Sequence, residues 1–178
     1  MRRRDTRLDG PVLLEPVVHG DSRGFFLESY RSSLLAELGI EGEYVQDNHS
    51  RSGRGVVRGM HFQAGQAKLI RCARGAILDV VVDIRPGSLT FGEWEGAVLD
   101  DESHLQLHVP DGFAHGFCVL SEVADVVYKV STYYDPSAEG GFRFDDPGVG
   151  IEWPEDLELL ASERDRRAPL LRELNLSR

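Results

Sequence analysis

The stretch HLQLHVPDGFAHGFCV, residues 104–119, reads as a strand, a tight turn and a second strand. From His104 to Val109 polar and apolar side chains alternate at every position, the period of a strand whose successive side chains face opposite ways. Pro110-Asp111-Gly112 is a turn signal, since proline presets one backbone angle and glycine frees another. Beyond it Phe113, His115, Phe117 and Val119 share one face. The same period runs outward over most of 56–134. Leu78, Val80, Val82 and Ile84 make another apolar face, with Asp79 and Asp83 opposite, and Arg85-Pro86-Gly87-Ser88 is a further turn. Upstream, Asp21-Ser22-Arg23-Gly24 turns between two short strands. A short helix is expected over 32–38, capped by Ser32 or Ser33 and stopped by Gly39. The tail from 155 onward is expected to turn helical through Leu157, Leu160 and Ser162-Glu163-Arg164-Asp165. Many short strands with little helix predict an all-β protein, an antiparallel sandwich or jelly roll.

The length of 178 residues suffices for one domain with a real core, and no Pro/Gly/Ser linker divides it, so a single domain over 1–178 is expected. A net charge of −10, from 20 basic and 30 acidic side chains, argues against a general nucleic-acid binder. It leaves room for a small anionic ligand held by a few local arginines. Cys72 and Cys118 sit in strand-like runs without metal-ligand spacing and are expected to be buried free thiols of a reducing compartment, the cytoplasm. No secretory segment or membrane span is read, so no membrane partner is expected.

Residues 46–63, QDNHSRSGRGVVRGMHFQ, hold two histidines, three arginines and three glycines between strand-like segments. Guanidinium groups beside glycine-rich backbone suit a phosphate-bearing ligand, and His61 is a candidate acid or base. The plainer alternative is a charged hairpin with one core histidine. Strand parity sorts the rest. Tyr128 and Tyr134 face the same side of a regular strand, with Tyr133 on the other. Lys68 shares the apolar side with Ile70 and Cys72, so it must snorkel out or meet an anion, unless it lies on an edge strand. Arg58 and His61 are an odd number apart and separate in a regular strand, but Gly59 could mark a bulge. His104 and His108 read as outward strand positions. A His-x-His set followed by a Glu is missing, so no metal site is expected. His61 and His115 could each be satisfied core histidines.

Four longer motifs stand in order along the chain: Asp21-Ser22-Arg23-Gly24-Phe25-Phe26-x-Glu28, Gln46-Asp47-Asn48-His49-Ser50, Val57-Arg58-Gly59-Met60-His61-Phe62-Gln63 and Pro110-x-Gly112-Phe113-Ala114-His115-Gly116-Phe117. Tyr128-Lys129, Tyr133-Tyr134, Asp145-Asp146-Pro147, Ile151-x-Trp153-Pro154 and Ser162-x-x-Asp165 follow. In combination and order they resemble the dTDP-4-dehydrorhamnose 3,5-epimerase family. The resemblance implies a metal-free cupin-type jelly roll without cofactor, and a homodimer that exchanges N-terminal strands. It implies inversion of dTDP-4-dehydro-6-deoxy-D-glucose at C3 and C5. His61 matches the family's base, Asp165 its orienting carboxylate, Lys68 the lysine near the C4 oxygen and Tyr128 the acid of the opposite face. Tyr134 matches the aromatic stacked on thymine. Arg23, Phe26, Glu28, Gln46, Asn48, Arg58, His115, Glu139 and Arg164 fall at substrate-contacting positions. The loop from His61 to Lys68 is shorter than usual in the family, and Arg164 stands where many members have lysine.

That chemistry suits these residue types. Protons at C3 and C5 both lie alpha to the C4 ketone, so one base can remove either and leave an enolate. The enolate oxygen needs a cation or donors, and inversion needs an acid on the other face. The competing readings are a family member that inverts one carbon only, a 3,4-ketoisomerase, a non-catalytic nucleotide-sugar-binding cupin and a metal-dependent cupin oxygenase.

Overall fold

The computed structural model describes residues 1–176, so positions 177 and 178 of the expected domain lie outside the described residues. The strands run in chain order as β1 (Arg2–Asp5), β2 (Val12–Glu15), β3 (Val18–Asp21), β4 (Gly24–Leu27), β5 (Gln46–Gly53), β6 (Val57–Gln63) and β7 (Lys68–Arg74). There follow β8 (Ala76–Asp83), β9 (Trp94–Asp100), β10 (Gln106–Val109), β11 (Phe113–Val119), β12 (Val123–Val130) and β13 (Glu139–Gly141). Two short helices, α1 (Ser32–Glu37) and α2 (Glu163–Arg166), complete the list. One sheet has the order β1-β2-β10-β7-β12-β5 and the other β13-β6-β11-β8-β9, while β3 and β4 form a separate hairpin. All named strand pairs are antiparallel. This is the all-β sandwich that the alternation predicts. No helix of the described residues is long and apolar enough to cross a membrane.

The core lies between the sheets. Ile70, Cys72, Leu107, Val109 and Val126 come from one sheet and meet Ile77, Val81, Leu99, Phe113 and Phe117 from the other. The odd positions of β8 and β11 therefore point inward, and Asp79 and Asp83 are carried into the interior with Ile77 and Val81. The even face of β8 is covered as well. Val80, Val82 and Ile84 pack under Trp94, Trp153, Leu171 and Leu174, so the C-terminal chain closes that side. Both cysteines are free and buried, as expected.

Several details differ from the sequence reading. Position 104 lies outside β10 in a turn at φ 55°, its ring 4.4 Å from that of Phe25. His108 is not outward-facing in any solvated sense: it is 7% exposed, and its Nδ1 lies 2.9 Å from the Tyr44 hydroxyl. Alternation locates the outer face of a sheet but not what covers that face. Here Leu35 of α1 packs with Val12, Leu14, Ile40 and Leu69 over it. Arg31, not Ser32 or Ser33, caps α1, and no side chain completes the cap; Leu34 and Leu35 donate to its carbonyl instead. Gly39, at φ 82°, does end the helix. Past 155, among the described residues, only α2 and a 3-10 turn at Leu171–Glu173 are helical. Leu160 instead bridges Val56 in parallel, with backbone bonds to Gly55 and Val57 of 2.9 Å each, so that segment is a strap.

His108 has a consequence for stability. Burial pulls its imidazole down to about 4, and the charge of Arg3 adds to that. In the unfolded chain the ring titrates near ~6.5. Between those values the unfolded chain binds a proton that the folded chain refuses. Stability present above pH ~6.5 therefore falls as pH drops, by roughly 2–3 kcal/mol on reaching pH 4, and then levels off. Urea unfolding of wild type and His108→Gln at pH ~7 and ~4.5 checks this. The variant is expected to show the shallower pH dependence; equal loss in both proteins rejects the assignment.

Candidate active site

His61 and Arg58 reach the same cavity because β6 is bulged. His115 of β11 pairs with His61 and Phe117 with Arg58, so two steps on β11 face three on β6. The extra residue restores the parity that an odd spacing breaks. Gly59 permits this: its φ is 136°, and a Cβ there would lie 2.6 Å from Gly116 Cα. The Arg58 guanidinium is held by Ser52, Nε to Oγ at 3.0 Å.

The carboxylate beside His61 comes from 104 residues away: His61 Nε2 lies 2.6 Å from Asp165 Oδ1. The strap from Gly55 and Val57 to Leu160 brings the chain to this point. Ser162 then caps α2, its Oγ accepting from the Asp165 N–H at 3.1 Å. Asp165 is 5% exposed, while the imidazole stays open on its cavity side. A buried carboxylate on one ring nitrogen fixes the tautomer and leaves Nδ1 for a reacting proton. It also compensates the positive charge that the ring gains on taking that proton.

The cavity has two lobes. One, of about 420 Å³, is lined by Arg58, His115, Phe117, Arg164 and Asp165 among others. The second, of about 170 Å³, is lined by Gln46, Asn48, Gln63, Tyr134 and Glu139 among others. His61, Lys68 and Tyr128 line both and mark the junction. Lys68 is not an edge residue, since β7 sits between β10 and β12. Even with the short loop its Nζ lies 3.4 Å from the His61 carbonyl. Burial draws its ammonium down to about 8, opposed by the charges of Asp79 and Glu139. Tyr128 faces His61 from the other sheet. Burial raises its phenol above the ordinary value, with Arg58 opposing, so the hydroxyl stays protonated at neutral pH.

In the smaller lobe Gln46 Nε2 donates to Asn48 Oδ1 at 2.9 Å. Glu139 takes the Tyr134 hydroxyl at 2.9 Å and the Arg164 guanidinium at 2.7 Å. Tyr134 shares this lobe with Tyr128, though not by strand parity, because β12 ends at Val130 and Tyr134 lies in the following loop. Three expected residues are elsewhere. Arg23 and Phe26 lie on the β3–β4 hairpin, which borders a separate hollow, and Glu28 pairs with Arg31 at 3.3 Å. Sequence reasoning gave no role to Asp79, whose Oδ1 lies 2.7 Å from His115 Nε2. The available signal was an acid on the same strand parity as Ile77 and Val81. Among the described residues no group of three or more His, Cys, Asp or Glu side chains is placed to hold a metal ion.

A proton acceptor backed by a buried carboxylate, a cation and a protonated phenol from the opposite wall are the parts needed to move a proton at carbon beside a carbonyl. Comparison with known proteins agrees. A sequence profile described as dTDP-4-dehydrorhamnose 3,5-epimerase matches residues 5–173. A protein of that name from Salmonella typhimurium is 50% identical over 170 residues, 93% of each chain. A Streptomyces niveus protein named dTDP-4-dehydrorhamnose 3-epimerase is 45% identical over 177 residues, 97% of this chain and 85% of its own length. The crystal structure of dTDP-6-deoxy-D-glucose-3,5-epimerase from Legionella pneumophila, in complex with dTDP-4-keto-L-rhamnose, superposes with a TM-score of 0.94. It is 44% identical and covers 98% of this chain, with 94% of its own length matched.

Proposed function

The chain belongs to the dTDP-4-dehydrorhamnose 3,5-epimerase family, and from that premise we propose how its residues divide the work. It is a cupin-type jelly-roll isomerase of dTDP-L-rhamnose biosynthesis, converting dTDP-4-dehydro-6-deoxy-D-glucose to dTDP-4-dehydro-L-rhamnose through enolates. His61 removes the proton at C3 and, in a second cycle, at C5. Asp165 holds the ring and balances the imidazolium. Lys68, with His115 beside it, stabilises the enolate oxygen at C4. Tyr128 delivers a proton to the opposite face, which inverts the carbon. Arg58 and Arg164 serve the diphosphate, Gln46, Asn48 and Glu139 contact the substrate, and Tyr134 offers its ring to thymine.

One observation carries this reading: His61, Lys68 and Tyr128 meet at the junction of the two lobes, with base and acid supplied by opposing sheets. A proton NMR time course with the substrate in D2O tests it. Deuterium is expected at both C3 and C5, together with the L-rhamno product. Exchange and inversion at C3 alone identify a 3-epimerase like the S. niveus relative; binding without exchange identifies a non-catalytic protein.

The homodimer belongs to the same proposal. Phe26 is 71% exposed, and Val17, Val18 and Phe25 beside it are exposed as well. Such an apolar, largely exposed hairpin calls for a partner. In a second chain's cavity mouth, Arg23, Phe26 and Glu28 would complete the substrate contacts that the cavity of one chain lacks. Light scattering at micromolar concentration is expected to give a dimer, and Arg23→Ala to raise KM by roughly tenfold, the scale of one charged hydrogen bond. A fully active monomer rejects the shared site.

A further inference from the structure

Lys68 is a half-buried cation with no salt-bridge partner among the described residues. Among the described residues its Nζ has one hydrogen bond, the 3.4 Å contact to the His61 carbonyl. Three carboxylates lie around the cavity, and two are already committed to other partners. Asp165 is bonded to His61. Glu139 is engaged by the Arg164 guanidinium and the Tyr134 hydroxyl.

Asp79 is the third, and its position is unusual. It faces inward from β8 and is 0% exposed. Its Oδ1 accepts from His115 Nε2 at 2.7 Å. Its Oδ2 has no hydrogen-bond partner; Ser50 Oγ is the other buried side-chain atom of the described residues in that state. An unmet carboxylate oxygen in a protein interior is unfavourable in itself. A group that costs stability at a reaction site is a candidate for a role in the reaction. Asp79 does not line either lobe, so it touches no substrate.

We propose that Asp79 is a positioning residue for the epimerisation, holding His115 by Nε2 through one oxygen and, with its unpartnered Oδ2, supplying buried negative charge that keeps Lys68 an ammonium ion. The inference rests on the reading of the cavity given above. Without that charge Lys68 loses its proton at lower pH, and the enolate loses its cation. The other groups facing Lys68 do not replace it. Arg58 from β6 and Arg164 from α2 are cations and act the other way. His61, His115 and Tyr128, from β6, β11 and β12, carry no fixed negative charge. His108, on the neighbouring strand β10, pairs with Tyr44 beneath α1 on the opposite face of the sheet. Glu139, from β13, also favours the charged lysine, after Asp79, but its carboxylate is paired with Arg164.

The test compares kcat/KM of wild type and Asp79→Asn across about pH 6 to 10. Wild type is expected to lose activity on the basic side as Lys68 titrates near about 8. In the variant that limb is expected to move down by ~1 pH unit or more, the scale of one nearby buried charge. The two enzymes then differ little at low pH and by ~10-fold or more at the wild-type midpoint. Loss by one factor at every pH means that Asp79 only shapes the site, and overturns the proposal. A second measurement needs neither substrate nor variant. In carbon NMR of the unliganded wild type, the Asp79 carboxyl carbon is expected to shift in step with the titration of Lys68 Cε. A flat Asp79 resonance through that titration rejects the coupling even where Asp79→Asn does not fold. A coupled step in a chain that fails to epimerise would count against the catalytic reading and leave the coupling standing.

Discussion

His61→Ala is expected to abolish turnover and, with it, deuterium exchange at both C3 and C5. The same imidazole is asked to remove both protons, so a single substitution stops both. The loss belongs at the upper end of what general base catalysis contributes, ~10⁴-fold. The ring is part-exposed on the cavity side, so its removal leaves no deep void. It does leave the Asp165 carboxylate buried without its partner, a cost to the fold of about 1–3 kcal/mol. A thermal melt separates that cost from lost chemistry, and added imidazole is expected to restore part of the exchange. Asp165→Asn keeps the volume but removes the compensating charge, and is expected to slow turnover by ~10²–10⁴-fold. Exchange surviving at one carbon at the wild-type rate in His61→Ala would show a second base, and the single-base assignment would fall.

Much of this geometry was legible in the chain, for reasons that differ residue by residue. Lys68 could be placed on the apolar side by parity with Ile70 and Cys72, because β7 is regular where it matters. Arg58 and His61 needed the bulge that Gly59 allows, and the glycine was the only local sign of it. His108 misled because periodicity says which face a residue takes, and only the packing of α1 says that the face is buried. Asp165 could not be paired with His61 by any local pattern. Only the order of motifs along the chain linked them, since their contact depends on a strap formed by Leu160. Tyr134 reached the expected lobe by a different route, from a loop. Arg23, Phe26 and Glu28 lie away from the cavity of their own chain, and their place in the reaction rests on the proposed second copy.

Tyr128→Phe is expected to separate proton removal from inversion. Tyr128 and His61 stand on opposite sheets, so an enolate bound between them would present one face to each. Loss of the phenol removes the donor on one face and leaves abstraction by His61 intact. The enolate is then reprotonated from the His61 side, which restores the original configuration. Solvent deuterium enters C3 or C5 once the imidazole has exchanged its proton, yet inverted product is scarce. Inversion is expected to fall by ~10²-fold or more, the range for loss of a general acid, while wash-in falls far less. Burial holds the phenol above its ordinary value, which keeps the proton available to be given at neutral pH. If Tyr128 were only a packing aromatic beside Ile70 and Val126, the phenylalanine would fill nearly the same space. The variant would then invert normally, with a modest change in KM. Wash-in and product stereochemistry read from one NMR tube decide between the two. Inversion at the wild-type rate would remove Tyr128 from the reaction and assign the second face to water or to another donor.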